Sequence, residues 1–148
     1  MTAQRTSDLH RTVRSRLGEA GQSYTANRRA IVDELGVTGP CTLPELLERR
    51  RELAQSSAYR NLAVLESAGV VRRLVHHGEF ARYELAEELT GHHHHLVCTD
   101  CGAVVDIEFP PALERRMDEA FASAASAAGF EVDHHVVDIH GRCASCRG

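Results

Sequence analysis

The chain has 148 residues, 43% apolar and 26% charged, with aromatics at 5% and no Trp. That balance is ordinary for one or two small globular domains whose core is built from Leu, Val, Ile and Ala. No segment approaches the roughly 18 apolar residues of a membrane span, and Met1 to Leu17 alternates Arg with polar residues where a signal peptide would be apolar. A cytoplasmic protein with no membrane partner is expected. The net charge of −4 hides an asymmetry: residues 1–83 carry 13 Arg and 9 acids, residues 84–148 carry 4 Arg and 12 acids. A basic half suited to a polyanion precedes an acidic half, rich in His and Cys, suited to cations.

The basic half reads as short amphipathic helices. Leu9, Val13, Leu17 and Ala20 recur at helical spacing, and Gly18 and Gly21 mark a stop. Thr25 can cap a second helix with Ala30, Ile31 and Leu35 inward, ended by Gly36, Gly39 and Pro40. Thr42-Leu43-Pro44-Glu45 reads as a capping box with Pro in the first turn. The helix it starts buries Leu43, Leu46 and Leu47 and exposes Arg49 to Arg51. Ser56 or Ser57 can cap a further helix to about Ala68, with Ala58, Leu62 and Leu65 inward and Gly69 as its stop. Val70–Val75 and Phe80–Leu85 are strand-like runs joined by His76-His77-Gly78-Glu79, a hairpin. Helix, turn, helix and a two-stranded wing is the plan of a winged helix-turn-helix.

In that plan the helix near residues 57–68 enters the major groove. Ser57, Tyr59, Arg60 and Asn61 stand near its N-terminus and off its buried face: Arg can reach guanine, Asn adenine, and Tyr a thymine methyl or a phosphate. Arg28 and Arg49 to Arg51, Arg50 among them, are expected on phosphates.

The acidic half begins after a polar link, Ala86 to Gly91. His92–Cys98 and Ala103–Phe109 read as strands around a turn at Cys101-Gly102. Pro110-Pro111 opens a helix with Leu113, Met117, Phe121 and Ala124 on one side, closed by Gly129, and Glu131–His140 reads as a third strand. Cys98-x-x-Cys101 and Cys143-x-x-Cys146 are two thiolate pairs on tight turns. Together they suit a closed, tetrahedral structural Zn²⁺ site. On a strand, His93 and His95 share one face while His92 and His94 share the other, so four consecutive His can serve two sites. The last strand adds His134 and His140 on one face and His135 on the other.

Several of these segments, taken together, resemble the ferric uptake regulator family. They are Ser57-Ala58-Tyr59-Arg60-Asn61-Leu62, Ala68-Gly69-Val70-Val71, Arg82-Tyr83-Glu84-Leu85, His92 to Gly102, and Gly141-Arg142-Cys143-Ala144-Ser145-Cys146. Ser57-Ala58 departs from the Thr-Val of the family's recognition helix. The resemblance implies an α+β chain with a winged-helix DNA-binding domain over residues 1–85, a hinge at 86–91, and a metal-binding dimerisation domain over 92–148. It also implies a homodimeric, metal-activated repressor of palindromic operator DNA, with zinc-sensing members in the family.

The ligand sets follow from the same resemblance. The four paired Cys form the structural zinc site. A regulatory site at the hinge uses Glu84, His93 and His95, with Cys41 standing where many members have a His, and His76 or His77 as substitutes. A third site combines His92, His94, Glu114 and His135. A thiolate from Cys41 would favour Zn²⁺ over Fe²⁺ at the regulatory site by softness. Iron, manganese, nickel or peroxide sensing are the alternatives within the family. A zinc hydrolase on His93, His95 and Glu84 is the alternative outside it, and it lacks a HExxH-type helix.

Overall fold

The computed structural model describes residues 3–74 and 81–148. Four helices and a small sheet make up the N-terminal part: α1 (Ala3–Glu19), α2 (Ala26–Thr38), β1 (Cys41–Thr42), α3 (Leu43–Arg49), α4 (Gln55–Ser67), β2 (Val71–Leu74) and β3 (Arg82–Leu85). Caps set the helix starts. The Thr25 hydroxyl accepts from the Arg28 amide at the head of α2, and Thr42 and Glu45 complete a reciprocal capping box at α3. At α4 no serine caps the helix, because α4 starts one residue after Ala54 and the Ser57 hydroxyl accepts from Asn27 instead.

One apolar cluster joins these elements. Val13 and Leu17 of α1, Ile31 and Val32 of α2, Leu46 of α3, and Leu62 and Leu65 of α4 are at most 1% exposed, and Val71 and Leu85 close the cluster from the sheet. The strand β1 has no counterpart in the sequence reading. The extended backbone of the Thr42 cap lets Cys41 and Thr42 pair with Tyr83 and Arg82, giving the order β1-β3-β2. β2 and β3 pair antiparallel from Val71↔Leu85 to Leu74↔Arg82. The expected hairpin turn at His76 to Glu79 lies outside the described residues.

A helical turn, α5 (Glu87–Thr90), occupies the polar link and ends at Gly91 with φ 96°. Next come β4 (His94–Cys98), β5 (Val104–Ile107), α6 (Pro111–Ala127) and β6 (Asp138–Gly141), in a sheet ordered β5-β4-β6. β5 runs antiparallel to β4. β6 runs parallel to it, after the crossover through α6 that a parallel pair requires. β6 is shorter than the expected Glu131–His140 run. The Val137 amide, which a longer strand would give to the ladder, bonds the His94 ring, and pairing starts only at Asp138.

The α+β architecture, a winged helix-turn-helix ahead of a small α/β unit, is the one expected. α6 keeps its apolar stripe uncovered, with Leu113 and Phe121 exposed and no residue of the helix buried. Among the described residues no helix is long and apolar enough to cross a membrane.

Candidate metal centre

Three groups of His, Cys, Asp and Glu converge, each with ligand atoms within 4.8 Å of one another. The first is the four thiols of Cys98, Cys101, Cys143 and Cys146, all free of disulfides. The end of β4 and the turns after β4 and β6 carry them. Cys101 Sγ lies 3.8 Å from Cys143 Sγ. A tetrahedron with bonds of about 2.3 Å has edges of about 3.8 Å, so the donor set fits Zn²⁺. Backbone N–H groups of Cys101 and Cys143 push the Cys98 thiol down to about 6, which favours the thiolate that binds metal.

The second group stands where the two parts of the chain meet: Glu84 on β3, His93 just ahead of β4, His95 on β4 and Asp106 on β5. Glu84 is 2% exposed. Its Oε1 accepts from the Arg72 guanidinium, while its Oε2 faces His95 Nε2 at 3.0 Å and His93 Nε2 at 3.5 Å. Burial alone would raise the Glu84 pKa, but bonding to His93, His95 and Arg72 outweighs it and holds the carboxyl well below the usual carboxylate range. The same carboxylate raises His93 to about 9 against the effect of burial, and raises His95 with help from Asp138. His93 Nε2 is nonetheless a buried nitrogen without a hydrogen bond. Buried polar atoms rarely go unsatisfied, so a ring nitrogen that faces two carboxylates without a hydrogen bond fits a site for a divalent cation. A cleft of about 670 Å³ opens onto the group, lined by Asp8, Glu88 and Glu108 together with Glu84, His93 and Asp106.

Cys41 is not among these residues. It sits in β1 opposite Tyr83, 2% exposed within the N-terminal core, and burial pushes its thiol up to about 11. Asp106 stands in the group instead. Its position could have been counted from the sequence: the turn pairs Cys98 with Ala103, and the antiparallel register then sets Asp106 opposite His95. The alternatives His76 and His77 lie outside the described residues. The turn ahead of β1 also presses on this group, since a Cβ at Gly39, where φ is 68°, would meet Asp106 Oδ2 at 2.9 Å. Arg82 bridges the same junction, donating to the Gly102 carbonyl and to Glu45 at the head of α3.

The third group brings together His92, His94, Glu114 and His135. His94 is fully buried, and His135 Nε2, 3.6 Å from Glu114 Oε2, is a second buried nitrogen without a hydrogen bond.

Of the residues expected at DNA, Tyr59 and Arg60 project from α4, Tyr59 62% exposed. Arg28, Arg50, Ser57 and Asn61 are engaged within the protein. Arg28 donates to Asn61, the Asn61 amide donates to the Ser57 carbonyl, and Arg50 pairs with Glu34 at 2.8 Å. The arginines left exposed beside them are Arg29, Arg49 and Arg51.

Residues 19–140 match the model of the ferric uptake regulator family. The chain belongs to that family. It is a metal-responsive transcription regulator and not an enzyme, which removes the hydrolase alternative. The peroxide operon regulator of Bacillus subtilis is 30% identical over 135 residues, covering 88% of each chain. The ferric uptake regulator of Vibrio cholerae superposes with a TM-score of 0.65 at 27% identity, over 86% of this chain and 96% of that one. The Pseudomonas aeruginosa ferric uptake regulator, solved with manganese, gives 0.63 at 27%, over 88% and 96%. Regulators of this family are DNA-binding homodimers.

Proposed function

We propose that this chain is a homodimeric repressor whose hold on palindromic operator DNA is switched on when a divalent ion, Zn²⁺ or Fe²⁺, fills the group of Glu84, His93, His95 and Asp106. The observation that carries this reading is the origin of the donors. Glu84 belongs to the wing strand β3, His95 and Asp106 belong to the sheet β5-β4-β6, and His93 lies between them. A bound ion supplies the positive charge that lets these donors share one centre. Glu84 is already oriented for the task by Arg72, and His95 by Asp138.

Fixing β3 against β4 and β5 fixes the DNA-reading helix α4 against the C-terminal unit, so metal affinity and operator affinity become linked. The softness argument for zinc loses its support once Cys41 is in the core. Two imidazoles and two carboxylates accept either ion. The four-thiolate group is read as a structural Zn²⁺ site. We place the domain boundaries at residues 1–85 and 92–148, with 86–91 as hinge.

Dimerisation is supported by apolar surface that one chain leaves uncovered. Val105, Leu96 and Ile139 lie in register across β5-β4-β6 and are each more than 40% exposed, beside Leu113 and Phe121 of α6. A two-fold dimer would present two copies of α4 to half-sites about one helical turn apart. Tyr59 and Arg60 would read bases. Arg28, Arg50, Ser57 and Asn61 would support the reading helix from behind.

The test is operator binding by protein loaded only at the four thiols, titrated with buffered Zn²⁺, Fe²⁺ and Mn²⁺. Affinity should rise at least tenfold with one ion per chain at the hinge. Equal affinity with and without added ion would overturn the reading.

A further inference from the structure

Arg82 and Glu84 stand two residues apart on β3, so both side chains leave the same face of the strand, while Tyr83 between them packs on the N-terminal core. Glu84 reaches His95 in β4, within the hinge group. Arg82 reaches the far end of the same hairpin. Its Nε donates to the Gly102 carbonyl at 2.6 Å, in the turn that joins β4 to β5 just after Cys101.

The outer nitrogens of the same guanidinium turn to the reader. Nη1 donates to Glu45 Oε2 at 2.9 Å and to the Pro40 carbonyl at 3.4 Å, and Nη2 donates to Glu45 Oε1 at 3.3 Å. Glu45 belongs to the capping box of α3, where its Oε2 also accepts from the Thr42 amide at 2.7 Å. α3 packs in turn against α4, and both bury leucines in the one apolar cluster. The Arg82 side chain is only 12% exposed, so its charge depends on these acceptors. A planar fork can serve acceptors on two sides at once, which a point-like ammonium cannot.

A single contact between two rigid units leaves them free to pivot about it. The hinge group holds β3 to the hairpin at Glu84, and Arg82, about 7 Å along the strand, holds it at a second point. That second point removes most of the freedom to pivot. We infer that Arg82 is a positioning residue that clasps the β4–β5 turn to the head of α3, and that a hinge ion raises operator affinity only while this clasp is closed. The inference rests on the reading of Glu84, His93, His95 and Asp106 as the metal-responsive group, and adds the residue that passes its order on to the reader.

The deciding experiment compares the full-length wild-type protein with Arg82→Met, which keeps an apolar stem and removes the donors. Both are loaded with zinc at the four thiols and titrated with buffered Zn²⁺ at the hinge. Arg82→Met should bind hinge Zn²⁺ within about threefold of wild type, yet its gain in operator affinity should fall from about tenfold to less than about threefold. Residual dipolar couplings of the backbone amides give a second readout. One alignment tensor should describe both units of the metal-loaded wild type, and two should be needed for Arg82→Met. Arg82→Lys, which keeps the charge without the fork, should recover no more than part of the activation. Wild-type activation in Arg82→Met or in Arg82→Lys would overturn the inference, as would a shared tensor in Arg82→Met. A loss of hinge zinc affinity beyond about tenfold in Arg82→Met would also overturn it, by making Arg82 a support of the metal group alone. A wild-type protein that zinc does not activate would instead defeat the hinge reading itself.

Discussion

The two parts of the chain solve the same stability problem with different materials. Around α1 to α4 the interior is hydrocarbon: Val13, Leu17, Ile31, Val32, Leu46, Leu62 and Leu65 are shut away from water. Around β4 the interior is imidazole and sulfur. His94 and His95 are the most completely buried side chains there, and Val97, Cys98 and Val104 add little apolar bulk. Burying an imidazole or thiol among others is unfavourable unless each finds a partner. Two ring nitrogens here, His93 Nε2 and His135 Nε2, face carboxylates yet make no hydrogen bond. The N-terminal part therefore holds its shape by composition alone, whereas the C-terminal part is arranged to hold its shape with cations. In a regulator built this way the reader is expected to fold without metal and the second half to need it for order.

The sharpest break in that contrast comes from the thiols. Cys98→Ser, or a strong chelator, should disorder the sheet β5-β4-β6 and abolish the dimer, because structural zinc contributes on the order of 10 kcal/mol in small domains. Helical circular dichroism from α1 to α4 should persist, and loss of it together with the dimer would mean that the two parts fold as one. The mirror experiment is Leu62→Ala, a cavity in the apolar core expected to cost about 2–5 kcal/mol. Denaturant unfolding should show the N-terminal transition shifted and zinc stoichiometry unchanged.

The same contrast explains what could be read from residues alone. Apolar spacing announced α1 to α4, and Thr42 with Glu45 announced the start of α3, since local rules govern local structure. The division of four consecutive His between two groups followed from strand alternation. What escaped was set by contacts distant in sequence. Cys41 sits ahead of a well-capped helix, but its side chain faces the core, and only the pairing of β1 with β3 reveals this. Asp106 required the register of a hairpin. That Arg28 donates to Asn61 and that Arg50 pairs with Glu34 could not be read from the sequence, since both contacts join residues distant in the chain.

Acidity separates the hinge group from the apolar core more gently. In the metal-free protein the Glu84 carboxylate raises His93 from 6.5 to about 9. The sign follows directly. The ion pair's contribution to metal-free stability is complete below pH 6.5 and is lost as pH rises through about 9. A metal must displace that proton, so hinge affinity should climb over the same window, by up to about tenfold per pH unit for each proton released. Proton release measured by calorimetry in buffers of different ionisation enthalpy checks this, and metal affinity flat from pH 6.5 to 9 would contradict it.

Smaller effects are expected at the reader. Arg60→Ala should cost about 1–3 kcal/mol in operator affinity and relax the preference for one base. Arg50→Ala should act mainly through its pairing with Glu34, lowering stability slightly and leaving the salt dependence of DNA binding unchanged. A flattened salt dependence for Arg50→Ala would return that residue to the phosphate backbone.

The most direct test of the hinge as the switch is operator binding by His93→Ala against buffered metal, with dimer mass and zinc content measured on the same sample. The expected outcome is an intact dimer, one tightly held zinc per chain at the four thiols, and operator affinity that no longer responds to added ion. A His93→Ala protein that is still activated by metal would contradict the account.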